Sequence, residues 1–329
     1  DKLKKEDSVM YQYSTYLNVV GHFPVFPAVG VQYFKIGELF YEDVLERLRK
    51  AKKFIFLEFF IVANDTMWNK VLDILKEKAQ EGVEVRLLYD GTCSFMLLPR
   101  DYTETLQKFH IKAKQFSPII PLISTHYNNR DHRKIIVIDG EYAYTGGCNM
   151  ASEYINENSK YGHWKDNMIR FSVEAVNSFS TLFLEMWNLN EIDDRDIYET
   201  YLVKTNDASD GYIIPFGDDP FDNEQIGRLT YMELLTTAKE TVDIAMPYFI
   251  VDGEFLNVLL HVVKKGVRVR LILPGIADKK MVNYIAKSYY KELIQNGIEI
   301  YEYTPGFTHL KIMISDQDKA VVGTINLDY

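Results

Sequence analysis

The chain has 329 residues, 47% hydrophobic and 26% charged, about twice the usual single-domain length, which predicts two domains or one domain of two similar halves around a sizeable core. With 18 glycines and 10 prolines it is neither collagen-like nor low-complexity, and its two cysteines, Cys93 and Cys148, form no disulfide framework and no CxxC motif, which points to a reducing compartment. Its 37 lysines and arginines against 47 aspartates and glutamates leave a net charge of −10, so nucleic acid is disfavoured as a partner and any phosphate must be held by a local patch.

In chain order, the opening Asp1-Lys2-Leu3-Lys4-Lys5 lacks the apolar run of a signal peptide. The most apolar stretch, residues 54–63, contains Glu58 and falls short of the roughly 20 residues that span a bilayer, so no transmembrane helix is expected. Because the chain does not begin with methionine and stops abruptly at Tyr329, it is expected to be part of something longer. Residues 1–29 read as an N-terminal segment. Apolar periodicity then predicts a helix over 39–51, a strand over 54–62, a helix over 67–80 and a strand over 83–89. Asp, Asn and Gly dominate residues 190–222, the expected linker. Beyond it the series returns: helix 226–238, strand 242–250, helix 254–265, strand 267–273, helix 279–295 stopped by Gly297, and strand 298–303. The predicted division is a first half over 30–190, a linker over 191–222 and a second half over 223–329. Alternating strands and helices predict an α/β fold of two similar α/β/α sandwich halves.

The halves share sequence as well as pattern. Glu81-Gly82-Val83-Glu84-Val85-Arg86-Leu87-Leu88 corresponds to Lys265-Gly266-Val267-Arg268-Val269-Arg270-Leu271-Ile272, 184 positions later. His132, Lys134, Asp139, Gly146 and Asn149 fit HxKx4Dx6GxxN, and His309, Lys311, Asp316, Gly323 and Asn326 fit it again without a gap. One such match is expected by chance in roughly one chain in ten thousand.

On a strand, residues i and i+2 share a face, so each His is expected to project with its Lys. A hairpin turning at Asp139-Gly140, and around residues 316–318, would bring Gly147 and Asn149, or Thr324 and Asn326, back beside them as phosphate-binding groups. Packed about a pseudo-twofold axis, the halves would form one shared active site for a phosphodiester. A neutral His can attack phosphorus and a protonated one can protonate the leaving alkoxide. Lys and Asn can stabilise the non-bridging oxygens, so the chemistry calls for no metal and no cofactor. Asp139 and Asp316 complete the motif, although their place at a turn favours pinning the hairpin over touching phosphate. Asp166, in Trp164-Lys165-Asp166-Asn167, is the expected carboxylate behind His132.

These residues resemble the phospholipase D superfamily, whose signature is the duplicated HKD motif, and within it bacterial cardiolipin synthases. The finer likeness rests on Phe56-Leu57-Glu58-Phe59-Phe60-Ile61, Asn129-Arg130-Asp131-His132-Arg133-Lys134, Gly146-Gly147-Cys148-Asn149 with Glu153-Tyr154, Trp164-Lys165-Asp166, Pro247-Tyr248-Phe249-Ile250, Ser288-Tyr289-Tyr290, Tyr301-Glu302-Tyr303-Thr304-Pro305-Gly306-Phe307 and Asn326-Leu327-Asp328-Tyr329. The resemblance implies phosphatidyl transfer between two phosphatidylglycerols, giving cardiolipin and glycerol, with His132 as nucleophile and His309 as acid, then base. It implies an anionic phospholipid membrane as partner and a place at the cell membrane with the catalytic part facing the cytoplasm. Members usually carry two N-terminal membrane helices, absent here, and continue to an Arg-Ser pair and a later carboxylate that would orient His309. Hydrolysis of a phosphodiester, a nuclease and a noncatalytic lipid-binding module remain alternatives, and the oligomeric state is open.

Other features have plainer readings. His22, His110, His126, His163 and His261 share no metal-ligand spacing. Cys148 reads as a small buried residue, and Glu58 as either a pocket residue or an ion-pair partner. The basic runs 47–53 and 264–270 read as solvated faces. Residues 95–99 and 116–123 are apolar but punctuated by proline, so they either cover the core as loops or contact acyl chains.

Overall fold

The computed structural model describes residues 2–117, 130–189, 198–218 and 224–327. Strand Phe54–Phe59 is buried at all six positions, Glu58 included, as its near-continuous apolar run requires of a strand covered on both faces. Helix Gly37–Lys50 turns Phe40, Tyr41, Val44 and Leu48 inward. Helix Thr66–Gln80 starts where the Asp65 carboxylate accepts the Trp68 N–H at 3.3 Å, and it buries Met67, Trp68, Val71, Leu72 and Leu75. In the second half Asp252 caps helix Gly253–Lys264 in the same way, accepting from Phe255 N at 2.8 Å.

Both sheets follow one plan. Seven strands run in the order Gln32–Phe34, Met168–Ser172, Tyr142–Gly146, Lys134–Ile138, Phe54–Phe59, Glu84–Asp90, Ile111–Phe116. Phe54–Phe59 pairs in parallel with Glu84–Asp90 on one side, Phe56 facing Arg86, and antiparallel with Lys134–Ile138 on the other, Leu57 facing Ile136. The second sheet, Glu299–Tyr303, Arg268–Pro274, Thr241–Ala245, Ile312–Ser315, Lys319–Val322, repeats that pattern: Thr241–Ala245 is parallel to Arg268–Pro274 and antiparallel to Ile312–Ser315. The fold is α/β, built of two like halves.

The halves are stitched together by a short parallel pair, Gly306–Thr308 against His163–Lys165, with Phe307 facing Trp164. Residues before 30 also bridge the chain. Helix Ser8–Gly21, capped by Asp7, reaches helix Ile226–Thr237 through Tyr13 Oη and Thr230 Oγ1, 2.6 Å apart, and Phe26–Pro27 pairs with Tyr212–Ile213. Of the expected linker, residues 190–197 and 219–222 lie outside the described residues.

Several element ends differ from expectation, among them the strand expected over 54–62, which stops at Phe59. The strand expected over 242–250 stops at Ala245, just ahead of Pro247, which has no N–H for the ladder. The helix expected over 279–295 divides into Lys280–Ser288 and Tyr290–Gln295, where Tyr289 N bonds the Ala286 carbonyl three residues back and tightens the turn. His132 and His309 stand just before strands Lys134–Ile138 and Ile312–Ser315, not within them. No described helix is long and apolar enough to cross a membrane.

Candidate active site

The two motif copies meet where the Gly306–Thr308 pairing delivers the chain to His309, whose N–H donates to the Lys165 carbonyl at 2.8 Å. Each lysine curls back on its own motif: Lys134 Nζ donates to the His132 carbonyl and Lys311 Nζ to the His309 carbonyl, both at 2.7 Å. Both lysines are fully buried.

Each histidine is held at Nδ1 by the opposite half. His132 Nδ1 lies 3.1 Å from the Thr324 carbonyl, and His309 Nδ1 lies 2.7 Å from Asp166 Oδ2. A carbonyl and a carboxylate only accept, so each Nδ1 carries the hydrogen and each Nε2 keeps the lone pair for chemistry. Asp166 is also contacted by Trp164 Nε1 at 3.4 Å and accepts the Asn167 N–H at 2.8 Å. Aromatic rings wall the pair: Phe60 lies 5.0 Å from His132, while Tyr154, Trp164 and Phe307 lie 5.6, 5.4 and 6.0 Å from His309.

The pocket disfavours positive charge. Burial, then the charges of Lys134 and Lys311, push the His132 imidazole well below its ordinary value. Burial and Lys311 hold His309 at about 4 against the opposing pull of Asp166. Burial and Lys311 also depress the Lys134 ammonium. A bound phosphodiester anion would reverse this field and favour both ammoniums and an imidazolium.

The expected site residues are therefore placed as follows. His132, Lys134, His309 and Lys311 come together. Asp166 is corrected: it orients His309, not His132, because strand pairing between the halves brings His309 over Lys165-Asp166. The Nδ1 that the later carboxylate was to engage is thus already held by Asp166.

Asp139 and Asp316, counted with the catalytic set, belong to the far end of their hairpins. Asp139 accepts from the N–H groups of Lys52, Lys53 and Phe54 at 2.8, 2.7 and 3.0 Å, and Asp316 from those of Lys239, Glu240 and Thr241 at 2.9, 2.8 and 3.0 Å. Both pin the start of the neighbouring strand.

Gly147, expected to bind phosphate, already donates its N–H to the Asn167 carbonyl at 2.9 Å. A Cβ there would meet Asp166 Oδ1 at 1.9 Å, so this glycine makes room for the carboxylate behind His309. Asn149 accepts from Ile61 N at 2.9 Å and donates to Tyr154 Oη at 2.7 Å, which leaves one amide hydrogen for a ligand. Asn326 Oδ1 is buried without a hydrogen-bond partner among the described residues. Thr324 contributes its carbonyl to His132.

Glu58 packs against Arg133. It is fully buried, 2.7 Å from Arg133 Nε, and burial holds its carboxyl well above the usual range. Cys148 is buried in the core. Among the described residues no group of His, Cys, Asp or Glu is placed to hold a metal ion. Sequence reasoning missed the Thr324 carbonyl, which no side-chain pattern encodes. It also gave no role to Tyr154, Trp164 and Phe307, although each stands in a block quoted for the resemblance.

The chain matches the family described as cardiolipin synthase, PLD-like domain, over residues 44–187 and 231–329. It is 46% identical over 330 residues to an uncharacterized protein of Streptococcus mutans, covering 100% of this chain and 71% of that one. It is 36% identical to a cardiolipin synthase of Alkalihalophilus pseudofirmus and 34% identical to one of Geobacillus kaustophilus, covering 89% and 94% of this chain. The chain spans only 58% and 62% of those two relatives' lengths. Its fold is similar to the crystal structure of phosphatidylserine synthase from Haemophilus influenzae, with a TM-score of 0.66 at 16% identity over 94% of this chain and 80% of that one. The duplicated motif, the paired sheets and the family match together show that the chain belongs to the phospholipase D superfamily, in its cardiolipin synthase, PLD-like domain family.

Proposed function

We propose that the protein transfers a phosphatidyl group from one phosphatidylglycerol to another, giving cardiolipin and glycerol, at the surface of an anionic phospholipid membrane. The reading is carried by the unlike Nδ1 partners of the two histidines. His132, backed by a neutral carbonyl and depressed by burial, is suited to attack as a free base. His309, backed by a carboxylate, is suited to hold and return a proton.

In the first step His132 Nε2 bonds to phosphorus, the glycerol oxygen leaves, and the proton on His309 Nε2 passes to it. The second phosphatidylglycerol then offers a hydroxyl: His309 removes its proton, its oxygen bonds to phosphorus, and His132 leaves as the free base. Lys134 and Lys311, with the remaining Asn149 hydrogen, would hold the non-bridging oxygens. One phosphodiester replaces another, so no nucleotide is consumed.

The test is product analysis. Incubated with phosphatidylglycerol vesicles without metal or nucleotide, the protein is expected to release cardiolipin and glycerol. Phosphatidic acid alone would make it a hydrolase, and cleavage of DNA with no lipid turnover would sink the lipid reading.

A further inference from the structure

Each histidine lies behind an apolar rim, and the two rims correspond. In the first half, Phe60 lies against His132, the Phe60 carbonyl accepts from Cys93 Sγ at 3.0 Å, and Cys93 O accepts the Leu97 N–H at 2.7 Å. Met96 and Leu97 then emerge into solvent, Met96 81% exposed. In the second half, Phe307 lies against His309, Tyr248 lies 6.2 Å from Phe307, and Tyr248 Oη donates to Asp278 at 2.6 Å beside helix Lys280–Ser288. Met281 and Tyr284 of that helix are 73% and 68% exposed, and Ile285 is exposed with them.

The match is one of place. Both rims follow the last residue of the equivalent parallel strands, Glu84–Asp90 and Arg268–Pro274. In each sheet that is the end at which the neighbouring antiparallel strand begins, just after its histidine.

We infer that Met281, Tyr284 and Ile285, together with Met96 and Leu97, form the face by which the protein docks on an anionic phospholipid bilayer. The inference rests on the function proposed above, since only a substrate held in a bilayer requires the mouth of the site to meet one. Three observations select this occupant. Positions 281, 284 and 285 form one face of the helix while Ala286 is turned into the core, the arrangement of a helix lying in a membrane interface. Lys279, Lys280 and Lys287 flank that face on a chain of net charge −10, with Asp278 engaged by Tyr248 and Lys287 reaching Glu302 at 2.9 Å. The face also continues into the catalytic pocket through Tyr248 and Phe307.

The test measures binding apart from turnover. The protein is mixed with vesicles of phosphatidylglycerol and phosphatidylcholine, or of phosphatidylcholine alone, and sedimented. Wild type is expected to follow the anionic vesicles. A Met281→Ser, Tyr284→Ser, Ile285→Ser variant is expected to bind at least about tenfold more weakly, from the lost apolar burial, at an unchanged melting temperature. Lys279→Gln with Lys280→Gln is expected to weaken anionic-vesicle binding by about fivefold per lysine. Equal binding by wild type and the triple variant would overturn the docking face. So would a wild-type dimer that the same substitutions dissociate without any vesicle binding, which would assign the face to a second copy. The function and the face can fail separately: a protein that binds vesicles through these residues but converts no lipid would contradict the function and leave the face standing.

Discussion

His132 and His309 occupy the same motif position in different environments, and the difference that bears on their protons is the acceptor at Nδ1. Removing the carboxylate behind His309 by Asp166→Asn withdraws the interaction that favours its imidazolium, so the His309 value, already about 4, falls further. The protonated fraction available to the leaving group then drops. Turnover is expected to fall by about 10²- to 10⁴-fold, more steeply as pH rises, which a pH profile of initial rates checks. An unaltered profile would remove Asp166 from the reaction. Gly147→Ala should act through the same carboxylate: a methyl placed 1.9 Å from Asp166 Oδ1 must displace it, so activity should fall more than melting temperature. At this scale the sequence revealed the histidines and lysines through their spacing. It assigned Asp166 to the wrong histidine, because that contact depends on how two halves dock, and spacing along a chain carries no such information.

At the scale of elements, the motif aspartates belong to the hairpins. Each accepts three backbone N–H groups at the start of the adjacent strand. Asp139→Ala leaves those donors without their carboxylate and is expected to cost about 2–4 kcal/mol of stability, read by denaturant unfolding. The larger effect on stability than on turnover per folded molecule distinguishes this role from catalysis. A variant as stable as wild type but inactive would return Asp139 to the site. Helices and strands were legible because their apolar periods are long, and Phe54–Phe59 lies within the strand expected over 54–62. The ends were less so: Ala245 ends its strand for the sake of Pro247, and Tyr289 interrupts a helix whose periodicity runs on through both parts. The pairing of Gly306–Thr308 with His163–Lys165 could not be read at all, since two three-residue strands carry too little pattern to announce a partner.

For the whole molecule, joining two halves at buried basic groups has a measurable cost in acid. His309 in the folded protein titrates near 4, below the 6.5 of an unfolded chain. Between those values the unfolded chain binds a proton that the folded one refuses, so stability falls as pH drops below 6.5 and the loss levels off near 4. From this residue alone the loss is about 3 kcal/mol, and His132, depressed in the same direction, adds to it. Unfolding free energies across that window should show the decline, with a shallower slope for His309→Gln. A flat profile in wild type would contradict the buried, neutral state of the pair.

The unequal division of labour between His132 and His309 is tested most directly by trapping the intermediate. Wild-type protein, mixed with phosphatidylglycerol, rapidly quenched and digested, should carry a phosphatidyl adduct on the peptide containing His132, and His132→Ala should carry none. An adduct on His309, or one that survives His132→Ala, would contradict the assignment.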